Sequence, residues 1–205
     1  MQMRRLRHAL AAVIVPAALV GLTVGPADAA AKAPKVPSPA KVAAVYPHLA
    51  GVTPVVASGA AQATACTPAK DVKGAKTTGA AYMVSAPTAA APNVTVSAIR
   101  FKSATKAKAF LKKAAARLVC ESQALGLTAT ATPFKFKLKG TDQRVGLTTQ
   151  QSMTAGSTTI TLGGQTLLAR KGEKVVSVTA VSGDATAPAV APAQTLLKVA
   201  VKTAR

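Results

Sequence analysis

VTVSAIRFKSATKAKAFLKKAAARLVCESQ, residues 94–123, decides the fold class, because it passes from one structural period to another within a single unit. Its opening, Val94–Phe101, begins with period-two alternation and follows a stretch holding Pro87 and Pro92, which predicts a strand entered from a loop. Ser103 stands where an N-cap belongs, and a helix is predicted from there to about Leu118. Ala107, Phe110, Leu111, Ala114 and Leu118 recur at i, i+3, i+4, i+7 spacing and so share one face. Lys106, Lys113 and Arg117 line one flank of that face, and Lys108 and Lys112 line the other. The helix is therefore expected to pack an apolar stripe on a sheet while its long cationic side chains reach outward to water. Cys120 falls at its C-terminal end.

Upstream, Gly79–Ser85 reads as a strand and Ala86–Asn93 as a loop. Downstream, Thr128–Lys139 holds the cleanest alternation in the chain, with Phe134, Phe136 and Leu138 on one side and Lys135, Lys137 and Lys139 on the other. Gly140-Thr141-Asp142 predicts a turn into a strand over Arg144–Met153, and Thr154-Ala155-Gly156 returns the chain into Ser157–Leu162. Gly163-Gly164 suggests a bulge before Gln165–Arg170, and Lys171-Gly172-Glu173 a hairpin into Lys174–Val181. A final helix is predicted over Ala193–Ala204, burying Leu196, Leu197, Ala200 and Ala204. Short links demand antiparallel pairing. The expected architecture is α+β: a twisted antiparallel sheet with two helices packed on one face, in a single domain over residues 59–205.

Residues 1–29 follow the order of a secretory signal peptide. Arg4, Arg5 and Arg7 precede an apolar run from Ala9 to Val24, and Ala27-Asp28-Ala29 supplies the small-x-small cleavage pattern. The run falls short of the roughly 20 residues of a membrane-spanning helix. Without a Cys at the cleavage point, lipidation is not expected. Residues 30–58, with Pro34, Pro37 and Pro39, read as a flexible Ala/Lys/Pro-rich linker, in which Val42–Tyr46 can form a helical turn. The expected location is extracellular, secreted or retained on the wall. In an oxidising compartment the two cysteines, Cys66 and Cys120, read as one disulfide, with a free thiol pair and a metal site as the alternatives.

Charge is the strongest compositional signal. The whole chain carries 26 Lys and Arg against 6 acids, a net charge of +20. Past residue 29 the acids are Asp71, Glu121, Asp142, Glu173 and Asp184. Such a chain is drawn to polyanions, which outside the cell means anionic wall polymers or anionic lipid headgroups. Specific nucleic-acid reading is not expected, since aromatic platforms for stacking bases are missing. Catalysis is not expected either. His48 stands alone beside Pro47, the acids are scattered over turns and ends, and Gly163-Gly164 lacks the rest of a phosphate loop. No cofactor or metal is expected. Asn93-Val94-Thr95 matches a glycosylation acceptor, a tripeptide common by chance. The candidate polyanion contacts are Lys135, Lys137 and Lys139, about 7 Å apart along one strand face, joined by Lys102, Lys106, Lys113 and Arg117 if the helix lies at the sheet edge.

The unit over residues 96–123 resembles the exported actinobacterial sensor-type domains of the PknH-like extracellular domain family, over about residues 60–205. The features that carry the resemblance are Phe101, Ser103, Ala107, Phe110, Leu111 and Cys120, with Cys66 upstream. The resemblance implies pairing of the upstream Cys with the helix-end Cys, a meander, a final helix, and ligand or cell-surface sensing without catalysis. Two features differ: Arg117 stands where many members carry Trp, and a second disulfide cannot form. The functional expectation is a secreted, non-catalytic binding or sensing module of the cell envelope, monomeric, capturing a ligand or an anionic envelope component. The alternative is a structural protein adhering to anionic wall polymers by charge.

Overall fold

Alternating strands and tight turns account for most of the architecture. The structure, a computed structural model, describes residues 33–204; the leader expected over 1–29 lies outside the described residues. Seven strands form one antiparallel sheet in the order β1-β2-β3-β7-β6-β5-β4. They are β1 Val55–Ala60, β2 Lys76–Tyr82, β3 Asn93–Arg100, β4 Thr128–Phe134, β5 Gln143–Ala155, β6 Thr158–Lys171 and β7 Lys174–Val181. The helices are α1 Pro39–Ala43, α2 Ala69–Val72, α3 Ala104–Lys112, α4 Ala114–Ala124 and α5 Val190–Thr203, with a 3-10 turn at Pro47–Leu49. The chain is α+β, as the sequence indicates. Among the described residues no helix is long and apolar enough to cross a membrane.

The two helical layers lie on opposite faces of the sheet, which corrects the expectation of one shared face. In β3 and β7, Val94, Val96, Ala98, Val176, Val178 and Ala180 pack with Leu196, Leu197 and Ala200 of α5. Ile99, Leu147, Leu168 and Val175, of the opposite parity, pack with Phe110, Leu111 and Leu118 of α3 and α4. The physical reason is visible in β7, where Val175, Val176 and Val178 are all buried. A strand apolar on both parities needs a cover on both sides.

The expected linker is also corrected. Val42, Tyr46 and Leu49 are 0%, 4% and 2% exposed and belong to the core beneath α5. Residues 39–58 are thus part of the domain, and β1 begins before the expected boundary at 59. Prolines in that stretch start short helices rather than extend the chain: Pro39 and Pro47 open α1 and the 3-10 turn.

Other boundaries shift for local reasons. Ser103 caps α3, its Oγ accepting from Lys106 N at 3.3 Å, but the predicted helix breaks at Lys113 and resumes as α4. The strand expected over Gly79–Ser85 begins earlier, at Lys76, because β1 and β3 pair with it there. Gly163-Gly164 makes no interruption, and β6 keeps its register with β5 through both. The glycine serves a close approach instead: a Cβ at 163 would stand 2.5 Å from the Thr186 carbonyl carbon. Gly172, at φ 59°, makes the tight turn from β6 to β7.

The strand expected over Thr128–Lys139 ends at Phe134. Beyond it the side chains still alternate, with Phe136 half-buried, Leu138 buried and Lys135, Lys137 and Lys139 exposed. The chain leaves the ladder because Phe134, Phe136 and Leu138 fold against the core beside α5, and Gln194 Nε2 donates to Lys137 O at 2.7 Å. Cys66 and Cys120 are bonded, with Cα atoms 5.8 Å apart. Beside them Glu121 accepts hydrogen bonds from the hydroxyls of Thr64 and Thr67.

Candidate anion-binding site

Cross-strand register gathers cations that are far apart in sequence. Lys76 stands opposite Arg100, Arg100 opposite Lys174, and Lys174 opposite Lys171. Each lies at the same end of its strand and shares parity with Val176 and Ala98, so the four side chains form a row on the α5 face. Neighbouring strands are roughly 4.8 Å apart, so the row advances by about that distance per cation. Like charges directly opposite each other are unfavourable in a sheet. The Lys174 ammonium is accordingly held below the ordinary lysine range, by partial burial first and by Arg100 and Lys171 beside it, while Glu173 pulls the other way.

Of the acids in the described chain, Glu173 pairs directly with this row. Arg100 Nε donates to Glu173 Oε1 at 2.7 Å. Lys113 pairs with Asp71 at 3.2 Å on the α3–α4 side, and Arg170 pairs with Asp142 at 3.0 Å, where Asp142 Oδ2 also accepts from Gly172 N at 2.8 Å in the β6–β7 turn. Asp184 Oδ1 accepts from Thr186 N. A cavity of about 440 Å³ opens beside the row, between the β6–β7 hairpin and the last turn of α5, lined by Lys171, Lys174, Val176, Val201 and Ala204.

The residues expected from the sequence to contact a polyanion do not come together. Lys102, Lys106 and Lys113 lie on the α3–α4 side, where Lys106 Nζ donates to Lys70 O at 3.5 Å and Lys113 is paired with Asp71. Lys135, Lys137 and Lys139 lie on the other side, by the N-terminal part of α5. There Phe134, Lys135, Phe136, Lys137 and Arg144 line a hollow of about 400 Å³. The basic row and this hollow sit at opposite ends of α5.

Arg117 is corrected outright, being 4% exposed and no surface contact. Its guanidinium carbon lies 3.7 Å from the centroid of the Phe110 ring, and Nη1 donates to Phe110 O at 3.2 Å. Nε and Nη2 are buried without a partner, and burial lowers its pKa against the pull of Asp71 and Glu121. Position 117 lies seven residues after Phe110 and three after Ala114, so the flank assigned to it adjoins the buried stripe. Two buried, unpartnered guanidinium nitrogens carry a desolvation cost that an apolar chain of similar length does not. Arg117→Met is expected to raise the urea midpoint by about 1 kcal/mol of stability; a loss above that size would show that the guanidinium holds the helix in place.

The sheet floor under α3 and α4 is polar in part. Ser97 and Ser177 share a buried hydrogen bond of 2.6 Å, and Gln151 Nε2 donates to Ser122 Oγ at 2.6 Å. The first joins neighbouring strands β3 and β7, and the second ties β5 to α4. His48 Nε2 lies 2.9 Å from Pro92 O, and its ring meets Tyr46 edge-on at 5.8 Å.

No family model matches the chain, and no curated protein matches it. Among solved structures it is similar to the crystal structure of the extracellular domain of PknH from Mycobacterium tuberculosis, with a TM-score of 0.44 and 15% identity, over 82% of this chain and 93% of that one.

Proposed function

We propose that the protein is an exported, non-catalytic binding module that captures an anionic component of the cell envelope at the end of its sheet. The observation that carries the reading is the row of Lys76, Arg100, Lys174 and Lys171, a like-charge ladder beside a cavity. Such a ladder costs the fold stability, and an anion lying along it offsets that cost. The leader-like segment over 1–29, the disulfide and the net charge of +20 support an envelope setting. A binding role without catalysis is supported by the commitments of the titratable groups: three acids sit in ion pairs, and His48 sits against a backbone carbonyl.

Adhesion by diffuse charge is the second reading, favoured by the exposed Lys135, Lys137 and Lys139 away from the row. Two double variants of equal net charge separate the readings: Lys171→Gln/Lys174→Gln, and Lys135→Gln/Lys139→Gln. Binding to soluble polyphosphate is measured for each. Capture at the row predicts loss in the first pair alone, and diffuse adhesion predicts equal losses in both.

A further inference from the structure

The cavity beside the basic row has two kinds of wall. Lys171 and Lys174 form one, and Val176, Val201 and Ala204 form the other. A charged polymer lying across the row would satisfy only the first. Its volume of about 440 Å³ falls in the range of small-molecule sites, which pair an apolar lining with a few placed polar groups.

Charged groups of both signs surround the cavity. The carbonyls at the end of α5 present about half a negative charge, and Glu173 presents one, already held by Arg100 at 2.7 Å. Against these stand Arg100, Lys171 and Lys174, which the register places on successive strands. Two of these cations, Lys171 and Lys174, line the cavity itself. A carboxylate supplies one charge and two oxygens, whereas a phosphate monoester supplies up to two charges and three terminal oxygens, matching cations that arrive from three strands.

We propose that this cavity takes an organic phosphate with an apolar substituent, its phosphate held by Lys171, Lys174 and Arg100 and its substituent packed on Val201. The proposal rests on the reading of the row as an anion site and names the ligand class for that site. The same chemistry is offered by a free alkyl phosphate and by the headgroup end of a phosphorylated lipid. A bound dianion beside Lys174 acts against the burial and the neighbouring cations that lower its pKa.

The test is calorimetric titration of the oxidised chain, residues 30–205, with inorganic phosphate, then methyl, ethyl, propyl and butyl phosphate, with butyrate as the carboxylate arm. Each methylene that enters the apolar wall is expected to tighten binding about fourfold, and butyrate is expected to bind more weakly than butyl phosphate. Val201→Trp fills the cavity and should flatten the series while polyphosphate binding persists; Val201→Ala, a milder change, should reduce its slope. Vesicles carrying a phosphorylated lipid distinguish the lipid source: binding there that Val201→Trp abolishes assigns it. A flat alkyl series in the unaltered protein, with polyphosphate still bound through Lys171 and Lys174, overturns this inference alone. Failure of every phosphate, polyphosphate included, overturns the anion site with it.

Discussion

Replacing both Cys66 and Cys120 by alanine is expected to lower the stability of the domain by about 4 kcal/mol. The bond joins residues separated by 54 positions, and a loop of that length loses about that much closure entropy from the unfolded chain. For a chain of this size the change shifts Tm downward by roughly 8–16 °C. The bond fastens the loop before β2 to α4, and among the described residues hydroxyl contacts from Thr64 and Thr67 to Glu121 tie the same two segments. Those contacts survive the substitution and hold the loop near its place, so the sheet should form at lower stability rather than rearrange. Thermal unfolding of the double variant beside the oxidised protein reads the effect. A shift below about 2 °C would mean that the unfolded chain gains little freedom from losing the bond.

Leu49→Ala is expected to cost about 3 kcal/mol, within the range of buried leucine truncations. Leu49 is 2% exposed and stands in the cluster with Val42, Tyr46, Leu196 and Leu197. Among the described residues the segment before β1 joins no strand ladder, and besides the His48–Pro92 hydrogen bond its docking rests on these apolar side chains. Urea unfolding measures the loss. An unchanged midpoint would return residues 39–50 to the status of a linker. A loss of only about 1 kcal/mol would show that the segment detaches before the sheet unfolds.

The strands and turns were largely legible because their signals are local. Gly172 sits between alternating runs, and Lys174–Val181 is a strand with the bounds its pattern suggests. Helices α3 and α4 were legible in their shared buried stripe, Ala107, Phe110, Leu111, Ala114 and Leu118, all at most 4% exposed, but not in the break at Lys113. What escaped is non-local. Valines at 175, 176 and 178 announce a strand covered on both faces, yet which helix covers which face depends on chain crossings that no period encodes. Proline density near residue 39 suggested an extended linker, and the burial of Val42 and Leu49 overrode it.

The candidate site escaped for the same reason. Lys76, Arg100, Lys171 and Lys174 span nearly a hundred residues, and only register sets them side by side. The one signal in the sequence was that each lies at a strand end, next to a turn or a helix start. Lys135, Lys137 and Lys139 drew attention because their spacing is visible in one line, but the ladder stops at Phe134. Arg117 drew attention by its charge, although the flank assigned to it adjoins the buried stripe.

The central claim is that the row at the sheet end, rather than the overall charge, captures the anion. Its most direct measurement is the polyphosphate affinity of Lys171→Gln/Lys174→Gln against Lys135→Gln/Lys139→Gln, at low and at physiological salt. The two variants carry the same net charge, so screening acts on both alike. The row predicts about a tenfold loss for the first pair at physiological salt, roughly 1.4 kcal/mol for two charge-assisted contacts, and less than a twofold change for the second. Equal losses in the two pairs at both salt concentrations would contradict it.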